Sequence, residues 1–162
     1  MPDYGWAVHE AGHAIAYIAA NPENVERVEV VNCGDYAQVV PIFSCDPAEL
    51  GLSHLVNFCC GSLAERVWAG EKDCILNLID NEYNWLDTLF DTPHGSRFDK
   101  LGFYAIAKTL DPFPNEEFAE ALVIAEKLLE RYLPLADMDA LHRRLLDGGF
   151  SLTARDLKPV VH

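Results

Sequence analysis

His9 and His13 stand four residues apart, and Glu10 directly follows the first, in the string His9-Glu10-Ala11-Gly12-His13. On a helix, residues four apart nearly superimpose, roughly 6 Å along the axis. Both imidazoles can then converge on one zinc ion at about 2.0–2.1 Å. Glu10 falls about a hundred degrees round the same turn. It is badly placed to act as a further imidazole-like ligand but close enough to reach a water polarised by the ion. Zinc lowers the pKa of such a water toward ~7. Glu10 would accept its proton as the water attacks a peptide carbonyl, then pass the proton to the leaving amine. The spacing therefore predicts metal-dependent hydrolysis, with His9 and His13 as ligands and Glu10 as the catalytic base and acid.

Two histidines alone leave a zinc site weak and open, so a further protein ligand is required. Ala16, Ala19 and Ala20 occupy the positions where an extended zinc motif would place one. The ligand must come from a distance. His54, Glu65, Asp73, Asp80, Glu82 and Asp87 are all candidates that spacing alone does not rank. Glu65 also suits another role, orienting a histidine through its free ring nitrogen.

These side chains need a frame. Residues 4–20 carry Val8, Ala11, Ile15 and Ile18/Ala19 at helical steps, with Asp3 as a cap and Asn21-Pro22 as a stop. Gly12 lowers helix propensity but lets another backbone or the metal shell come close. Residues 25–31 and 36–43 are rich in β-branched and aromatic side chains and read as a hairpin. Pro41 puts the second strand at an edge or an end, where a peptide substrate could pair with it. Asp46-Pro47-Ala48-Glu49 starts a helix running to about Ala69. Further helical periods cover 76–90, 116–133 and 136–147, with a less regular stretch over 94–114. Thr153-Ala154-Arg155-Asp156 reads as a last capped turn. The expectation is one domain over residues 1–162, α+β but mainly α-helical, with a small hairpin or sheet after the histidine helix.

Composition limits the partners. The 162 residues are 50% hydrophobic, which excludes a disordered chain, and they carry a net charge of −14. That charge repels phosphate backbones and anionic headgroups, so neither nucleic acid nor a membrane surface is an expected partner. The cysteines Cys33, Cys45, Cys59, Cys60 and Cys74 form no CxxC pair, and their number is odd. Cys59 and Cys60 lie in an apolar run and read as small hydrophobes in a reducing, cytoplasmic setting.

The string HEAGHAI is similar to the zinc helix of the FtsH-type metallopeptidases, the proteolytic domain attached to a membrane-anchored AAA+ ATPase. VERVEVVNCGDYAQVVP (residues 25–41) resembles the strand pair that follows that helix. Cys60-Gly61-Ser62-Leu63-Ala64-Glu65 with Gly70-Glu71 resembles a later helix of the family, and LLERYLPLADMDALHRRLLDGGFSLTARDL its closing segment. The resemblance implies a helical zincin-like fold and a Zn2+-dependent endopeptidase. There a Thr-Thr-Gly-Ala run and a serine-asparagine-aspartate stretch lead to the third ligand, and the position it assigns here is Asp80. Lys72-Asp73-Cys74-Ile75-Leu76 stands in place of the first run. No GxxxxGK[ST] loop occurs, so the sequence holds no ATPase of its own. The implied substrates are peptides and unfolded or flexible proteins, and the implied partners are further copies in a homo-oligomer and a separate ATPase or adaptor. The rival expectation is a non-catalytic, zinc-stabilised interaction module built on the same frame.

Overall fold

Helix α1 (Gly5–Ala20) is the axis of the fold because its sequence offers almost no polar face. Every residue from Ala7 to Ile18 is buried, including His9, Glu10 and His13, so the expected apolar stripe widens to nearly the whole circumference. The helix ends at Asn21, whose backbone N–H and side-chain amide both donate to the Tyr17 carbonyl. The computed structural model describes residues 4–44, 46 and 52–157. Asp3, Cys45, Pro47, Ala48, Glu49 and His162 lie outside the described residues, and with them the expected cap of the first helix and the Pro47–Glu49 part of the expected start of the second.

Helix α2 (Leu52–Trp68) runs antiparallel against α1. Tyr17 meets His54, His13 meets Asn57, and His9 meets Glu65 in a ladder down the interface. Gly12 sets how closely the helices approach. A Cβ there would collide with the Ala64 side chain and stand 2.7 Å from the Cys60 carbonyl oxygen. The close packing that Gly12 permits is thus backbone against backbone.

Strands β1 (Val25–Asn32) and β2 (Ala37–Phe43) form the expected antiparallel hairpin. A third strand, β3 (Gly149–Thr153), pairs antiparallel with the other side of β1, giving the order β2-β1-β3. The sequence reading missed β3. Its inward pair, Phe150 and Leu152, alternates over too short a run, and Gly148-Gly149 looks like a plain stop. Strand β2 is an edge, with Pro41 opposite Val28, as its missing N–H requires.

The helix expected over 76–90 is two, α3 (Cys74–Asn81) and α4 (Trp85–Phe90). Glu82 is extended and Tyr83 is 99% exposed, so the apparent period through Ile79 and Tyr83 marks no buried face. Glu126 receives the backbone N–H groups of Cys74 and Ile75 at 2.9 and 3.0 Å, a buried carboxylate at the start of α3. Helix α5 (Arg97–Ala107) emerges from the irregular stretch, followed by α6 (Asn115–Tyr132) and α7 (Met138–Asp147). At the last turn Asp156 accepts from both the Thr153 N–H and its hydroxyl. Among the described residues, no helix is long and apolar enough to cross a membrane.

Candidate metal centre

Three acceptor atoms from two distant parts of the chain meet at one point. His9 Nε2 and His13 Nε2 are 3.3 Å apart, and Asp99 Oδ2 lies 3.0 Å from the first and 3.1 Å from the second. Ligands of a tetrahedral ion with bonds of ~2.0–2.1 Å stand about 3.3–3.4 Å apart, so the triangle has the dimensions of a zinc ligand set. Ser96 starts α5 by accepting from the Phe98 N–H, which places Asp99 in the first turn, facing α1.

The opposite edges of both rings decide what the triangle can hold. His9 Nδ1 faces Glu65 Oε2 at 2.9 Å, and His13 Nδ1 faces the Asn57 carbonyl oxygen at 2.8 Å. A carbonyl and a carboxylate only accept, so each Nδ1 carries the proton and each Nε2 turns a lone pair inward. Two lone pairs and a carboxylate oxygen within 3.3 Å hold no donor among them. The arrangement requires positive charge at its centre. Gly61 leaves room for it, since a Cβ there would strike His9 Nε2 and come within 2.5 Å of His13 Nε2. The residues therefore fit a divalent cation by donor set and spacing.

The same acceptors also favour positive charge on the rings themselves. Burial pulls the His9 imidazolium down, but hydrogen bonds to Asp99 and Glu65 outweigh it and lift the pKa to about 9. His13 is likewise depressed by burial and raised on balance by Asp99. Burial works against the Asp99 carboxylate too, yet His13 and His9 hold it below the usual range. Glu10 stands apart from these. Burial raises its pKa, an effect its neighbouring imidazoles only partly offset. Glu10 is thus a carboxylate with an appetite for a proton, 7% exposed at the edge of the triangle.

No protein-family profile, characterised protein or solved structure matches this chain. Of the residues singled out in the sequence, His9 and His13 come together with Glu10 beside them. Asp80 does not join them. The buried side of α3 is Cys74, Ile75 and Leu78, which leaves Asp80 exposed on the far side, and α3 packs on α4, α6 and α2. His54 sits in a ring cluster with Tyr17 and Phe43. Asp87 pairs with Lys100 and Tyr104, while Asp73 and Glu82 flank α3 at the surface. Glu65 takes the orienting place at His9.

Asp99 was missed. Ser96-Arg97-Phe98-Asp99 has the serine-then-acid spacing that opens a helix, and reading it so would have put a carboxylate at a defined point before Leu101 and Tyr104.

A cleft of about 900 Å3 opens beside the cluster. Glu10 and His13 lie at its base, residues Gly34–Val39 form one wall, and His94–Asp99 form the other. One wall is therefore the start of the edge strand β2, and the other is the segment that delivers Asp99.

Proposed function

We propose that this chain is a zinc-dependent endopeptidase domain of the FtsH type, acting on flexible or unfolded polypeptides. The observation that carries the proposal is the acceptor triangle of His9, His13 and Asp99 opening onto a cleft that Glu10 also lines. Among the described residues the cluster holds three ligand groups, the number in catalytic zinc sites, whereas structural sites close the fourth position with protein. That favours catalysis over a zinc-stabilised interaction module.

A bound zinc would supply Lewis acidity toward the scissile carbonyl and toward an attacking water. The protein's own groups do the rest. His9 and His13 are held in one tautomer by Glu65 and Asn57, so no ring has to reorient on binding. Glu10 accepts the proton of the attacking water and delivers it to the departing amine. Among the described residues no strand pairs with the outer edge of β2, and an extended chain added there would lie across the cleft with its carbonyl near Glu10.

The test is Glu10→Gln. The variant is expected to keep its zinc and to lose cleavage of a denatured protein substrate, by about 10²-fold or more. Wild-type turnover persisting in that variant would overturn the role of Glu10, and a zinc-loaded wild type that cuts nothing would return the reading to a non-catalytic module.

A further inference from the structure

Two rings face each other across the mouth of the cleft. Tyr36, at the hairpin tip beside the first residue of β2, and Phe98, in the first turn of α5, have ring centroids 5.9 Å apart at an interplanar angle of 50°. They belong to opposite walls. Each is largely in solvent, Tyr36 at 51% and Phe98 at 64% exposure, so neither belongs to the core. Single exposed apolar residues are ordinary on protein surfaces, but a pair meeting over a site built for chemistry is a different matter.

Their positions are fixed by the elements that make the site. The turn capped by Ser96 sets Phe98 and Asp99 together, so the ring stands one residue from a member of the acceptor triangle. Tyr36 leads directly into the open β2 edge, where Ala37 pairs with Asn32 on the inner side. Trp6 and Phe58 line the same cleft further in, and Gly102 lets the Phe58 ring lie against α5, since a Cβ there would come within 2.6 Å of it. Of the charged wall residues, Glu10 and Asp99 are taken up by the cluster, and Asp35 and Arg97 bring opposite signs. Trp6, Tyr17, Tyr36, Phe58 and Phe98 give the lining an aromatic surface that can discriminate between substrates.

We propose that Tyr36 and Phe98 form a clamp over the cleft that selects a bulky apolar side chain of an extended polypeptide, which replaces the ring-to-ring contact with ring-to-substrate contact. The inference rests on the cleft being the peptide site. A chain without such a side chain leaves the clamp closed on itself, and a folded surface cannot thread between the rings. Selection for extended segments is thereby built into this domain.

The experiment uses the zinc-loaded Glu10→Gln protein and two glycine-serine peptides, one carrying a central phenylalanine and the other asparagine in its place. Calorimetric titration is expected to show the phenylalanine peptide bound more tightly by roughly five- to tenfold, the range for one aromatic contact. Adding Tyr36→Ala and Phe98→Ala together should erase that preference with zinc content and thermal stability unchanged, because both side chains are exposed. Adding Tyr36→Phe alone should preserve it. Equal affinity for the two peptides, no binding of either, or a preference that survives the double substitution would overturn the clamp. Cleavage of the same peptides by the wild-type protein is read separately. A preference in binding without cleavage leaves the clamp standing and removes the peptidase, and cleavage without preference does the reverse.

Discussion

The two histidines and the aspartate reach one point by unlike routes. His9 and His13 sit on the most buried helix, and each ring is locked from behind by a partner on α2. Asp99 rides on α5, whose sole buried side chain is Phe103 and whose outer side exposes Phe98 and Leu101 at 64% and 57%. The first half of the site is a by-product of core packing and exists whenever the protein is folded. The second half is held by Phe103 among Phe90, Phe113 and Phe118, and by the strap from Glu65 to Thr92 and His94. A metal bound here would gain little on the α1–α2 side and would do its ordering on the α5 side.

The sharpest way to break this contrast is Gly61→Ala. The added methyl meets both inward nitrogens, so the substitution falls first on the preformed half. Zinc content of the purified protein is expected to fall to background while helicity holds, since alanine gains about 1 kcal/mol of helix propensity over glycine. Gly12→Ala is the counterpart on the facing helix, where the methyl meets Ala64 and Cys60 instead. It should cost about 2–3 kcal/mol in denaturant unfolding, the scale of core overpacking. Zinc retained at full occupancy by Gly61→Ala would show that the rings can move, and that the first half is not preformed.

Next in size is the aspartate. Asp99→Asn keeps a short polar side chain but removes the negative charge that faces both imidazoles. Zinc affinity, measured against a competing chelator, should fall by about 10²-fold, at the upper end of losses seen for groups around a metal. Asp80→Asn should leave it unchanged, because that side chain stands exposed on α3. The reverse outcome would restore Asp80 as the ligand.

Hydrogen exchange then separates the halves directly. Stripping the metal with a chelator should raise amide exchange through residues 92–104 by more than in α1 or α2, because sub-global opening follows the weakest packing. A uniform rise across all three helices would mean that the site is assembled as one unit.

The same contrast explains what could be read from the sequence. His9, Glu10 and His13 are legible because one helix carries all three, and a period of 3.6 residues converts sequence spacing into geometry. The hairpin is legible for a similar local reason, through β-branched runs on either side of a turn. Asp99 is not local. Eighty-five residues and several elements separate it from His13, and the distance between them is set by how α5 packs on α2, which no spacing encodes. Asp80 follows two apolar residues, Leu78 and Ile79, yet only Leu78 is buried and Ile79 is 37% exposed, so apolar neighbours in sequence do not place it near the core. Strand β3 escaped for the same reason. Its partner β1 lies more than a hundred residues earlier, and five residues of alternation carry little signal without it.

The smallest effect concerns the group that joins the two halves. The Glu65 side chain is 7% exposed and accepts from three sides: His9 Nδ1 at 2.9 Å, the Thr92 hydroxyl at 2.5 Å and the His94 backbone N–H at 2.9 Å. Its carboxylate is drawn below the usual range because, against the cost of burial, His9 and Thr92 bond its charged form. Glu65→Gln leaves one oxygen where two served, and turns an amide N–H toward a donor. Zinc affinity should fall by about tenfold, within the range for a partner behind a ligating histidine. Exchange at residues 92–96 should rise alongside. Thr92→Val tests the other end of the strap. It removes the hydroxyl from Glu65 and from Ser62 but leaves His9 bonded, so it should loosen the loop with affinity nearly intact. If Glu65→Gln weakens zinc while residues 92–96 stay protected, Glu65 acts through His9 alone, and the delivery of Asp99 depends on α5 packing without the strap.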